Sequence, residues 1–176
     1  KSSAASDVYK RQLYDRAQNQ SNIIKDFLVK EGIPAEEISM GTPRVTDLHA
    51  DFYGTTLPPE RYRVEMVLSV ATKNVDSVLK AMVNQTELIR QGVMFINNYR
   101  TEFYYNGLNS IKPEMIEEAT KNARAAAQKF AEDSDSTLGK IRRANQGQFS
   151  IYDRDSNTPQ MKRIRIVTTV EYYLKD

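Results

Sequence analysis

Residues 111–138 read IKPEMIEEATKNARAAAQKFAEDSDSTL, and they run through LGKIRRANQGQF (138–149) to a closing RIRIVTTVEYYL (163–174). Pro113 suits a first helical turn because its fixed φ is already helical and its missing N–H is not needed there. Glu114, Glu117 and Glu118 would then sit near the positive end of the helix dipole. Ile116, Ala119, Ala123, Ala126, Ala127, Phe130 and Ala131 make an apolar stripe whose small residues allow close approach to a sheet. Two strands are predicted after this helix, over 138–151 and 164–174, joined by the polar loop YDRDSNTPQMK.

Working back from this block, the same order recurs. Ala17, Ile23, Ile24, Phe27 and Leu28 recur at helical spacing between Tyr14 and Lys30, and Gly32 and Pro34 stop that helix. Residues 38–52 read as a strand bent at Gly41 and Pro43. In 62–71, Tyr62, Val64, Met66, Leu68 and Val70 alternate with Arg63, Glu65 and Ser69, as a half-buried strand requires. Between the two blocks, Val75, Val78, Leu79, Met82, Val83 and Ile89 mark a middle helix, with Asn74 as N-cap and Gly92 as terminator. A tyrosine-rich strand is predicted over 93–105. The expected fold is therefore α+β: two pseudo-repeated helix-strand-strand lobes, a mostly antiparallel sheet and three main helices. The first lobe spans about 13–72, the middle helix and strand 74–105, and the second lobe 111–176.

Composition bounds the function. The 176 residues, 40% hydrophobic, suffice for a core without staples, and no cysteine is present to supply a disulfide, thiolate ligand or thiol nucleophile. A net charge of +2 is too small to drive nucleic-acid binding by charge alone, and no nucleic-acid partner is expected. No apolar run is long enough to span a bilayer as a helix.

The helix EMIEEATKNARAAAQKFAEDSDSTLGKI with its closing strand resembles the SIMPL domain family of bacterial cell envelopes. FLVKEGIPAEEI, YRVEMVLSV and VDSVLKAMVNQTELIRQGV extend the resemblance, in order, over most of 13–176. It implies an extracytoplasmic, periplasmic or membrane-anchored protein that forms homo-oligomers and is linked to envelope integrity and stress response; it implies no catalytic residues. One departure is clear: a strand expected before the first helix is replaced by KSSAASDVYKRQ (1–12). That segment is expected to be a disordered or non-native tail, resembling debris read at the broken ends of translated metagenomic sequences, with any membrane tether lying in a missing N-terminal segment.

Candidate chemistry is sparse. Asp47, His49 and Asp51 alternate on a predicted strand, and two carboxylates with an imidazole suit a divalent metal; solvated turn residues are the competing reading. No other cofactor is expected. Asp153, Asp155 and Asn157 imitate a calcium loop, but Thr158 stands where glycine is needed and Ile164 where a bidentate glutamate is needed, so a surface turn is expected. Lys140, Arg142, Arg143, Lys162, Arg163 and Arg165 gather on the last two strands, either as an anion-binding strip or, more commonly, as charges that guard a sheet edge. Tyr99, Phe103, Tyr104, Tyr105, Tyr172 and Tyr173 offer interface area. Three readings follow, in this order: a non-catalytic, self-associating envelope scaffold; a small-ligand module using a groove between the lobes; and, far behind, a metal-dependent enzyme at Asp47, His49 and Asp51.

Overall fold

The structure, a computed structural model, describes residues 2–50, 52–95 and 101–176, with side chains from residue 6 onward. The chain divides into two compact units, residues 1–98 and 99–176. The mixed helix and antiparallel strand content is α+β, as the sequence implies.

The first unit opens with α1, Ser2–Lys30. Residues 2–12, expected to be an appendage, continue this helix: lengthening a formed helix avoids the cost of a nucleus, and Asp7 and Lys10 pair along it at 3.6 Å. At the other end the N–H of Ile33 donates to Leu28 O at 3.0 Å and that of Gly32 to Val29 O at 3.0 Å, while Gly32 takes a φ of +99°. This left-handed closure turns the chain sharply and buries Ile33 to 2% exposure.

Two broken arms follow. β1 (Ile38–Met40) pairs antiparallel with β4 (Leu68–Val70), and β2 (Arg44–Asp47) with β3 (Tyr62–Glu65). Together they form one long hairpin with a kink, three residues (41–43) facing two (66 and 67), and the pairing shifts by one residue across it. Gly41 N–H donates to Val67 O across the kink at 2.8 Å. The bend expected at Gly41 is thus present, and it extends to the partner strand.

The middle helix is two helices, α2 (Val75–Asn84) and α3 (Thr86–Arg90), which meet at Gln85. Asn74 caps α2, its Oδ1 accepting from Ser77 N–H at 3.2 Å. Because the helix breaks, its inward face differs from the sequence expectation: Ala81 and Leu88 are buried with Phe27 and Val93, whereas Val83 is 78% and Ile89 63% exposed. Gly92 closes α3 as Gly32 closes α1, with a φ of +75° and Val93 N–H on Leu88 O at 3.0 Å.

The strand expected over 93–105 does not form among its described residues: 93–95 and 101–107 carry no regular structure, and Tyr99 lies outside the described residues. The second unit is built on α4, Leu108–Asp133, which starts five residues before Pro113 and leaves its first turn without acidic residues. Ala119, Ala123 and Ala127 are half-buried and Ala131 fully buried, a single line at four-residue spacing. Phe130, expected in the packing stripe, is 74% exposed, lying off the line that Ala123, Ala127 and Ala131 make. β5 (Thr137–Gln146) pairs with β8 (Thr168–Lys175), and β6 (Ser150–Asp153) with β7 (Lys162–Arg165), all antiparallel.

The second hairpin is kinked as the first is. Three residues (147–149) face two (166 and 167), the pairing again shifts by one, and Gly147 N–H donates to Val167 O at 2.9 Å. The repeat read from element order therefore reaches the level of single hydrogen bonds.

Two substitutions test this account. Phe27→Ala, in the densest part of the first unit, should cost about 3–5 kcal/mol in denaturant unfolding. Gly147→Val should lower Tm and broaden the transition, since a Cβ there would meet Val167 O at 2.6 Å.

Candidate functional site

The loop between β2 and β3 holds the one histidine of the chain. Asp47 ends β2 and receives the Arg61 guanidinium at 3.1–3.2 Å, while its Oδ1 accepts the backbone N–H of His49 at 3.0 Å. These donors, Arg61 first, hold its carboxyl below the ordinary carboxylate range. His49 directs Nε2 to Pro58 O at 2.8 Å, a contact that requires the imidazole to carry its proton on Nε2. Both side chains thus clamp the 48–61 loop, and Asp51 lies outside the described residues. Among the described residues no three His, Asp or Glu side chains converge as metal ligands.

Beside this loop Tyr62 is buried to 8% exposure. Lys10 lies 4.8 Å and Arg61 5.0 Å from its ring centroid, and its hydroxyl bonds Ser6 at 2.9 Å. The sequence shows Tyr62 only as one strand residue in an alternation, so this cation-flanked ring escapes a reading of local pattern.

A second cluster joins the helices. Glu31, 5% exposed, accepts from Asn84 Nδ2 at 3.0 Å and from Lys80 Nζ at 3.3 Å, which lower its pKa against the opposing effect of burial. Its neighbour Lys30 bonds Glu87 at 2.9 Å, and that contact raises the lysine. Two adjacent residues of opposite charge therefore tie the end of α1 to α2 and to α3.

In the second unit the aspartate loop is a turn, as expected. Asp155 accepts from Asn157 N–H at 2.9 Å, Thr158 N–H at 2.8 Å and Thr158 Oγ1–H at 2.6 Å. The Thr158 hydroxyl first, then Arg154, pull its pKa down to about 2. Asp153 is taken by Lys162 across the strand pair. Of the basic strip, Lys162 is therefore neutralised and Arg142 lies 4.0 Å from Glu171, while Lys140, Arg143, Arg163 and Arg165 project from the hairpin as exposed residues.

A groove of about 440 Å³ separates α4 from the kink of the second hairpin, lined by Met115, Ala119, Ala123, Ile164 and Ile166, with Glu118 and Arg165 at its lining too. In the first unit the corresponding kink is closed, with Ser21 of α1 buried and its hydroxyl 3.7 Å from Met66 Sδ. The strand alternation leaves Tyr172 half-buried and Tyr173 56% exposed; Tyr104 and Tyr105 are exposed, and Phe103 is half-buried. No helix among the described residues is long and apolar enough to cross a membrane.

The family model described as SIMPL, protein of unknown function (DUF541), matches residues 3–171. No curated protein matches the chain.

The Asp155 carboxyl gives a pH test with a fixed sign. Its folded pKa lies below the ordinary 3.8, so its contribution is complete above about pH 4 and is lost as pH falls toward about 2. An NMR titration should place its midpoint near 2, and Thr158→Val should move that midpoint upward.

Proposed function

This chain belongs to the SIMPL family, and from that premise we propose that it is a non-catalytic, extracytoplasmic protein of the bacterial envelope whose molecular act is to assemble with copies of itself. One observation carries the reading: among the described residues each of the eight strands has a single hydrogen-bonded partner, so the kinked hairpins have open edges on both sides. Open edges carry unpaired N–H and C=O groups and are templates for another strand. Exposed Tyr152, Val167, Tyr173 and Leu174 lie along the second hairpin, where tyrosine adds contact area at low entropic cost.

The titratable groups support a structural role for the loops. Asp47, His49 and Asp155 are each held by hydrogen bonds that fix a loop or turn, and Glu31 is held by Asn84 and Lys80 where α1 meets α2. A role in envelope integrity under stress is consistent with the family resemblance. A second reading, a small-ligand module, is favoured by the groove between α4 and the second kink, whose lining combines apolar Met115, Ile164 and Ile166 with charged Glu118 and Arg165, a mixture that suits an amphipathic molecule. That groove lies within one unit, where the sequence suggested one between lobes.

Sedimentation velocity across a concentration series tests the first reading: the chain should associate reversibly, and Tyr173→Glu should weaken association at least about tenfold, or about 1.4 kcal/mol. A chain that stays monomeric at high concentration would overturn it. Ala123→Phe, which fills the groove, should leave association unchanged and abolish any stabilisation by amphipathic ligands.

A further inference from the structure

We propose that Asn106–Gly107 is a site of spontaneous covalent modification, an ageing mark at the start of α4. It is the one Asn-Gly pair in the sequence. Asn106 is exposed and lies in the segment 101–107 that has no regular structure, immediately before α4. Other described asparagines are committed: Asn19, Asn22, Asn84, Asn109 and Asn122 lie in helices, Asn145 in β5, Asn74 caps α2, and Asn157 sits in the turn held by Asp155.

The reaction needs no cofactor. The backbone nitrogen of Gly107 attacks the side-chain carbonyl carbon of Asn106; a C–N bond forms and the side-chain amide C–N bond breaks. The amide nitrogen leaves as ammonia, taking the Gly107 N–H proton, and a five-membered imide remains. Water then opens the ring at either carbonyl, giving aspartate or its β-linked isomer.

Both partners are placed for this. Gly107 is the N-cap of α4, and the N–H groups at a helix start have no partner within the helix, so its nitrogen is outside the ladder. Glycine has no Cβ to hinder attack. The Gly107 carbonyl is meanwhile fixed by Ser110, whose N–H donates at 3.1 Å and whose hydroxyl donates at 2.7 Å. The Asp product puts a carboxylate at the positive end of a 26-residue helix, where it is stabilising. The β-linked product instead adds a main-chain carbon to the segment that leads into α4.

The test is to incubate the full folded chain at mildly alkaline pH and map its peptides by mass spectrometry. Trypsin releases residues 101–121 as one piece, because Lys112 precedes proline. Conversion at Asn106 should be about tenfold or more faster than at Asn109, since glycine alone leaves the attacking nitrogen unhindered. Both acidic isomers should appear, and Asn106→Gln should remove them while leaving the circular dichroism unchanged. The free peptide 101–121 gives the reference rate. Should Asn106 persist in the folded chain while the peptide is converted, or react no faster than Asn109, the proposal is wrong.

Discussion

A glycine N–H given to a valine carbonyl across a hairpin is the contact on which each half of this molecule rests: Gly41 to Val67 and Gly147 to Val167. A two-stranded hairpin is marginal alone in water and must lay one face against a helix. The kink lets the chain change direction while keeping both arms paired; a Cβ at 147 would clash with the opposing carbonyl oxygen at 2.6 Å, and one at 41 would crowd it at 3.2 Å. The one-residue shift in pairing is the same in both places, so the two hairpins solve one problem in one way.

Around that shared device the halves differ in how they are filled. In the first unit Phe27, Ala81, Leu88 and Val93 form a buried cluster, sealed by left-handed glycines at the ends of α1 and α3. In the second, Ala131 is the residue that reaches full burial among those described, and an alanine line replaces large side chains. Dispersion and hydrophobic gain scale with the area removed from water, so the first unit holds the greater share of packing free energy. The groove beside the second kink is the same difference seen as space.

Element order, the bends at Gly41 and Pro43, the Asn74 cap and the closures at Gly32 and Gly92 were legible because each depends on residues within a few positions of one another. The Asp155 turn was legible for the same reason. What escaped depends on partners distant in sequence. The start of α4 before Pro113, the exposure of Phe130 and the division of the middle helix at Gln85 leave no mark in the local pattern of apolar residues. The buried Glu31 with Lys80 and Asn84, and Tyr62 with Ser6, Lys10 and Arg61, join residues dozens of positions apart. Among its described residues the strand predicted over 93–105 does not form, because alternation alone cannot supply the partner strand that a ladder needs.

Pro113, finally, lies inside α4, and without an N–H it leaves the Asn109 carbonyl unclaimed by the helical ladder. The turn and a half before it is therefore attached to the remaining helix by fewer hydrogen bonds than any later stretch of equal length. The ladder of α4 is thus weakest near its beginning, at 108–112, and continuous along the alanine line at 119–131 that meets the strands.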